Sequence, residues 1–197
     1  MKHIFTVEKK FKPYESALGK VSFKPRKLNF WSLVEVIVGQ QLSGSAASTI
    51  SNRILQLDDT IKSPKTFVKI KPEVLRSCGI SNQKIKSLLG IADMLSTSPN
   101  YLSNLLDLPG EELKRELVKI KGIGPWSATI LAIFYAGKPD ILIVGDVTIN
   151  KVISHLYKID VDTNSKVLFD LLDHWHPYSS VGCILCYKLF DRKMLSI

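Results

Sequence analysis

Two short stretches of this 197-residue chain carry residue types whose spacing suits chemistry on a polyanion. The first is LVKIKGIGPWSATILAI, where Gly122, Ile123 and Gly124 interrupt two apolar helical patterns. Glycine accepts positive φ and leaves no side chain over a turn. The N–H groups of such a turn, with those that open the helix at Trp126, form a concavity at a positive dipole end that suits a phosphate. A plain interhelical turn needs glycine only to stop the first helix; the two-glycine spacing, Pro125 at the next helix start and Ala128 beneath it favour the phosphate hairpin. Such a grip positions a nucleic acid without reading its sequence, and it performs no reaction. The second stretch is ILIVGDVTINKVI, in which an apolar segment leads through Gly145 into Asp146. A carboxylate there is either the N-cap of the helix that follows or a reactive group held at a cleft. In the second role it stabilises developing positive charge and orients or deprotonates a water.

The cysteines offer less. Cys183 and Cys186 form a lone Cys-x-x-Cys in the apolar run VGCILCYKLF, and Cys78 is far away in sequence. Spacing of i, i+3 puts both on one helix face, where a buried, inert pair is expected rather than a metal or redox site. Three cysteines in all do not make a disulfide framework. No run approaches the roughly 20 apolar residues of a membrane span, and the apolar stretch in MKHIFTVEKKF is too short for a signal peptide. The expectation is a reducing, intracellular compartment and no membrane partner.

Charge points to the partner. The chain holds 27 Lys/Arg against 18 Asp/Glu, a net charge of +9 with a pI near 9.4. That excess predicts an anionic partner, nucleic acid before an anionic membrane. It is local: residues 1–27 and residues 62–86 each net +6, and the remainder sums to −3. Lys84 and Lys86 fall in the second basic segment and are expected to contact phosphate.

The elements that must position these groups read as helices throughout. Asn29 caps an apolar stripe from Phe30 to Val38, and small residues in SGSAAST open a second, closely packed helix. Ser63-Pro64 and Lys71-Pro72 mark two helix starts, Gly79 a stop, and Ser81 the cap of the next helix. A short helix is expected over 100–108, another over 111–120 with acids in its first turn, and a third from Trp126 to about Tyr135. Further helices are expected near 147–157, 163–174 and 178–194. The one strand candidate is Ile141-Leu142-Ile143-Val144, which has no partner of similar quality. The fold class is all-α.

Together these residues resemble the helix-hairpin-helix DNA glycosylases, specifically the 3-methyladenine DNA glycosylase II branch. The resemblance covers roughly residues 28–190 and rests on FWSLVEVIVGQQLSGSAASTI, LRSCGISNQKI, LVKIKGIGPWSATILAI and VGDVTINKVI, in family order. It implies a single all-α unit of two helical lobes with a cleft between them. Residues 28–139 would form the lobe with the hairpin (118–134), and 1–27 plus 140–197 the other. It implies a monofunctional glycosylase that flips an alkylated purine of the 3-methyladenine or 7-methylguanine type out of double-stranded DNA and hydrolyses its glycosidic bond. Asp146 matches the catalytic aspartate, and Trp126 matches a position lining the base pocket, where a buried core Trp is the alternative. Ile130 stands where some relatives have a pocket aromatic.

Gly122, Ile123 and Gly124 match the phosphate-binding turn. Gln41, Leu42 or Ser43 would enter the minor groove as the wedge, with Leu42 the natural one physically and helix-end packing its alternative. The backbone carbonyls of Val118, Ile120 and Ile123 match those that hold a monovalent cation, Na+ or K+, in the family. Glycosylase/lyases carry lysine at the Trp126 position, and the iron–sulfur branch needs four cysteines, so neither a Schiff base there nor a cluster is expected. No cofactor is required, and a monomer is expected. Two other readings remain: a non-catalytic helix-hairpin-helix DNA-binding module, and a glycosylase/lyase for oxidised bases that uses Lys121. Ser179 replaces an arginine common in relatives. About 27 residues precede the first family-like motif, so the extra N-terminal α/β domain of longer bacterial members is expected to be absent.

Overall fold

The computed structural model describes residues 2–19, 24–161 and 165–195, and helix is the regular structure throughout them. Helices α1 (Lys2–Val7) and α2 (Glu15–Leu18) flank a 3-10 segment at Lys9–Tyr14. Next come α3 (Phe30–Gly39), α4 (Gly44–Leu55), α5 (Pro64–Phe67), α6 (Pro72–Ser77), α7 (Asn82–Thr97) and α8 (Tyr101–Asn104). Helices α9 (Gly110–Val118) and α10 (Pro125–Phe134) flank the glycine turn. Helices α11 (Val147–Tyr157), α12 (Ser165–Leu172) and α13 (Ser179–Asp191) follow, with a 3-10 turn at Asp173–Trp175. The chain divides into two compact units, residues 26–136 and residues 1–25 with 137–197.

In residues 26–136, α3 is the central element. Asn29 and Ser32 cap its start reciprocally, the Asn29 side chain accepting the Ser32 N–H and the Ser32 hydroxyl oxygen accepting the Asn29 N–H, both at 3.0 Å. Phe30, Trp31, Leu33, Val34, Val36, Ile37 and Val38 are all buried, so the helix is apolar on nearly every side. It packs on α4, α7 and α10, and α9 packs on α10. Phe30 meets Phe67 of α5 edge to face, with ring centroids 5.1 Å apart.

In the other unit, α11 packs on α13. Gly182 lets α13 approach the fully buried Trp175, since a β-carbon there would stand 2.2 Å from the indole ring. The carboxylate of Glu8 is buried at 3% exposure. It accepts the Lys10 N–H at 2.9 Å, the Trp175 Nε1–H at 3.0 Å and the Tyr157 hydroxyl, and it lies 3.2 Å from His174 Nε2. Burial alone would raise its pKa, but the bonds from Tyr157, Lys10, Trp175 and His174 outweigh that and hold it below the ordinary value.

Three expectations need correction. Residues 141–144 form no strand. Ile141 donates its N–H to Ser180 Oγ at 3.0 Å and Ile143 to Cys183 Sγ at 3.3 Å, so side chains of α13 take the place of a neighbouring strand. The helix expected over 100–108 is a single turn at Tyr101–Asn104. The helical segments at the N-terminus, α1, the 3-10 segment and α2, were not foreseen in a Lys-rich stretch without clear periodicity. Of the helix expected over 163–174, residues 163 and 164 lie outside the described residues, as do residues 1 and 20–23 of the first basic segment.

Candidate active site

The glycine turn joins α9 to α10 and is held from below. Ile120 and Ile123 are buried, and the Ile123 N–H donates to the Ile120 carbonyl at 3.0 Å, which closes the turn. Gly122 has φ +98°, and a β-carbon on it would lie 2.7 Å from both Cβ and Oγ of Ser87 on α7. Here glycine is required twice, for conformation and for space. Gly124 differs from the expectation of positive φ: it is extended, with φ −86° and ψ 175°, and nothing lies within 4 Å of the position of a β-carbon. Its lack of a side chain keeps the outer face of the α10 N-terminus open, and conformation does not demand it. Of the three carbonyls expected to hold a cation, Ile120's already accepts one hydrogen bond, which leaves its second lone pair. Val118, at the end of α9, is exposed.

Trp126 lies in the first turn of α10 and is 41% exposed. It is therefore not a core tryptophan that staples the hairpin; the buried Ile120 and Ile123 do that. Ile130, one turn further along the same face, is half-buried.

At the corner between α3 and α4, Gln40 has a role beyond closing the first long helix. Gln40 donates its side-chain Nε2–H to the Gly122 carbonyl at 2.9 Å and to Ser127 Oγ at 3.0 Å. It thereby ties the corner to the hairpin across α10. Gln41 is exposed with φ +58°, an uncommon conformation for a residue with a side chain. Leu42 is 41% exposed, so helix-end packing does not account for it. Ser43 caps α4 through the Ala46 N–H at 3.3 Å.

Lys84 is corrected too. Its ammonium donates to the Val38 carbonyl at 2.9 Å and the Gln40 carbonyl at 2.7 Å, closing the C-terminal end of α3. Burial lowers its pKa. It is a strut of the corner rather than an outward phosphate ligand, whereas Lys86, two residues on, is exposed. Other basic side chains of the two charged segments are also engaged at home. Arg26 lies over the Tyr135 ring at 4.3 Å and 3.6 Å from Glu35, and Lys10 over the Tyr157 ring at 4.8 Å. Lys62, Lys65, Lys69 and Lys71 are exposed.

Asp146 lies in the other unit, at the end of the extended segment, and is the N-cap of α11. Its Oδ1 accepts the Thr148 N–H at 2.9 Å and the Ile149 N–H at 3.0 Å. Its Oδ2 accepts the Tyr187 hydroxyl of α13 at 2.9 Å. The carboxylate is half-buried and fixed in orientation from two helices. The cap uses Oδ1 and does not preclude a reactive role for the same group. Cys183 and Cys186 are free thiols, fully buried. Burial pushes the Cys183 thiol up to about 12 and raises Cys186 as well. Ser179 donates its hydroxyl to Asp140 Oδ1 at 2.7 Å, and Asp140 also accepts the Ser179 N–H at 3.2 Å.

The family model of the HhH-GPD superfamily of base excision DNA repair proteins matches residues 34–177. The chain belongs to this superfamily. An HhH-GPD relative, DNA-3-methyladenine glycosylase 1 of Schizosaccharomyces pombe, is 30% identical over 137 residues, 68% of this chain and 60% of that protein. The chain spans about three fifths of the length of the first curated relatives it matches. Among solved structures, a DNA-3-methyladenine glycosidase from Bacillus halodurans matches with TM-score 0.80 and 31% identity over 95% of this chain and 87% of its own. The S. pombe 3-methyladenine DNA glycosylase in complex with abasic DNA has the same fold, with TM-score 0.80 and 23% identity over 99% and 96%. In HhH-GPD terms the hairpin is the α9–turn–α10 segment. Among the described residues no helix is long and apolar enough to cross a membrane.

Proposed function

We propose that this chain is a monofunctional DNA glycosylase that flips an alkylated purine from double-stranded DNA and hydrolyses its N-glycosidic bond. The observation that carries the reading is the fixed Asp146 carboxylate on an HhH-GPD fold. The names of its relatives support the substrate class. Bond cleavage builds oxocarbenium character on the sugar; a preorganised carboxylate stabilises it and orients or deprotonates the attacking water. Trp126 and Ile130 form one wall of the base pocket, since an exposed indole attracts an electron-poor alkylated ring. The N–H groups of Gly122 and Gly124, with those that open α10, grip a phosphate of the DNA. Gln41, Leu42 and Ser43 face the minor groove, where Leu42 fills the gap left by the flipped base.

The carbonyls of Val118, Ile120 and Ile123 would hold a monovalent cation, which when bound supplies positive charge beside that phosphate. Tryptophan at position 126 offers no amine for a Schiff base, so hydrolysis and not lyase chemistry is the reaction. The protein works as an intracellular monomer on DNA that contains a damaged base. Single-turnover release of alkylated purines tests the reading. The Asp146→Asn variant is expected to bind duplex DNA normally and to lose release; near-normal release would overturn it. Borohydride during turnover is expected to trap no adduct; an adduct that disappears on changing Lys121 would make the protein a lyase.

A further inference from the structure

The proposed chemistry leaves Tyr187 unassigned, although its hydroxyl stands 2.9 Å from the carboxylate on which that chemistry depends. Resting on the reading of Asp146 as catalytic, we infer that Tyr187 is its positioning residue: the phenol sets the orientation of the carboxylate for the reaction. The argument is geometric. Asp146 Oδ1 is bound to the α11 backbone by two N–H groups, which fixes that oxygen but leaves rotation about the carboxylate axis to be restrained elsewhere. The Tyr187 hydroxyl supplies that restraint from α13, the helix packed against α11. It donates to Oδ2, so the carboxylate is held at both of its oxygens.

The neighbours make Tyr187 a fixed donor. Burial and the charge of Asp146 push its pKa up, so it keeps its proton at any pH where the protein works. The other titratable groups that face the pair are the thiols Cys183 and Cys186 on α13, which burial holds neutral, and Glu8, beyond Cys186. On α11 itself Lys151 and His155 are exposed. The tyrosine donates a side-chain hydrogen bond to Asp146 Oδ2. A phenylalanine at 187 would fill the same space and leave the packing of α13 on α11 intact. The role is therefore separable from support of the fold.

The test is single-turnover release of 7-methylguanine from duplex DNA, with DNA affinity and thermal unfolding measured in parallel. Tyr187→Phe is expected to lower the release rate by about tenfold, the size of one hydrogen bond to a charged group, with DNA affinity unchanged. Ring-fluorinated tyrosine at position 187, which keeps the donor and the shape, should retain the rate. That second arm holds if the phenylalanine variant folds poorly. In an Asp146→Asn background, Tyr187→Phe should change release no further. An unchanged rate in the phenylalanine variant, or an equal loss in the fluorotyrosine variant, with Asp146→Asn inactive, would overturn the inference and leave the glycosylase reading standing. An active Asp146→Asn protein would overturn that reading, and the inference with it.

Discussion

At the glycine turn of residues 26–136 the groups proposed to meet a phosphate are backbone groups, and the side chains around them hold that backbone in place. Gln40 bonds the Gly122 carbonyl and Ser127, Lys84 closes α3, and Ser87 packs where Gly122 has no side chain. In the unit of residues 1–25 and 137–197 the roles are exchanged. There the backbone of α11 and a phenol hold a side chain, the Asp146 carboxylate. A phosphate grip needs only that N–H groups face outward, so many side chains can be varied around it provided the turn survives. A reactive carboxylate has no backbone substitute. Substitutions in the first unit should therefore act through conformation and affinity, and those at Asp146 through rate.

The largest effect expected is at Asp146. Asparagine caps a helix about as well as aspartate, so Asp146→Asn should keep the melting temperature while single-turnover release falls on the order of a hundredfold or more. A parallel loss of stability would break the comparison, because the carboxylate would then be mainly structural. Next comes Gly122→Val. Strain at positive φ together with the clash against Ser87 should cost about 2 kcal/mol or more in denaturant unfolding. Gly124→Ala is its control: with ordinary backbone angles and open space, stability should stay within about 0.5 kcal/mol while duplex affinity drops. Equal stability losses at the two glycines would show that conformation governs both.

Gln40→Ala sharpens the comparison from the side of the supporting residues. It leaves the Gly122 carbonyl and Ser127 short of a donor, and should weaken duplex binding by about tenfold, the effect of roughly 1–2 kcal/mol at such sites, with a smaller effect on release from bound complex. Glu8 gives a pH counterpart in the other unit. Its depressed pKa means that its contribution to stability is present above the ordinary carboxylate range and is lost as pH falls through that range to the folded value. Glu8→Gln should flatten the fall of melting temperature over the same acid interval. The smallest effects are expected among surface lysines. Lys86→Glu should lower the slope of binding against salt by about one contact or slightly more, whereas Lys84→Met should lower stability and leave the slope unchanged.

Local signals were legible in the sequence where one short segment contains both cause and effect. The Asn29 cap, the Ser81 cap, the proline starts at Pro64 and Pro72 and the span of α11 all follow from neighbouring residues. The hairpin was legible because glycine spacing is a local demand. What stayed hidden depends on partners far along the chain. Tyr187 reaches Asp146 across 41 positions, and Gln40 reaches Gly122 across 82. Lys84 looked like one more cation in a basic stretch, since only the folded corner supplies the carbonyls that engage it. Residues 141–144 looked like a strand because an apolar run with β-branched residues says nothing about which groups will take its N–H bonds; Ser180 and Cys183 do. At the N-terminus, Glu8 is one acid among lysines until Trp175 and Tyr157 close over it.

The double attachment of Asp146 has a practical consequence. Because asparagine can keep the cap that aspartate makes, a single substitution should yield a protein that still folds, still searches DNA and still extrudes its target, yet does not release it. Such a protein would be a capture reagent for the lesion. Immobilised and incubated with fragmented genomic DNA, it would retain the fragments that carry the base it recognises, and sequencing them would map damage and identify the preferred lesion together.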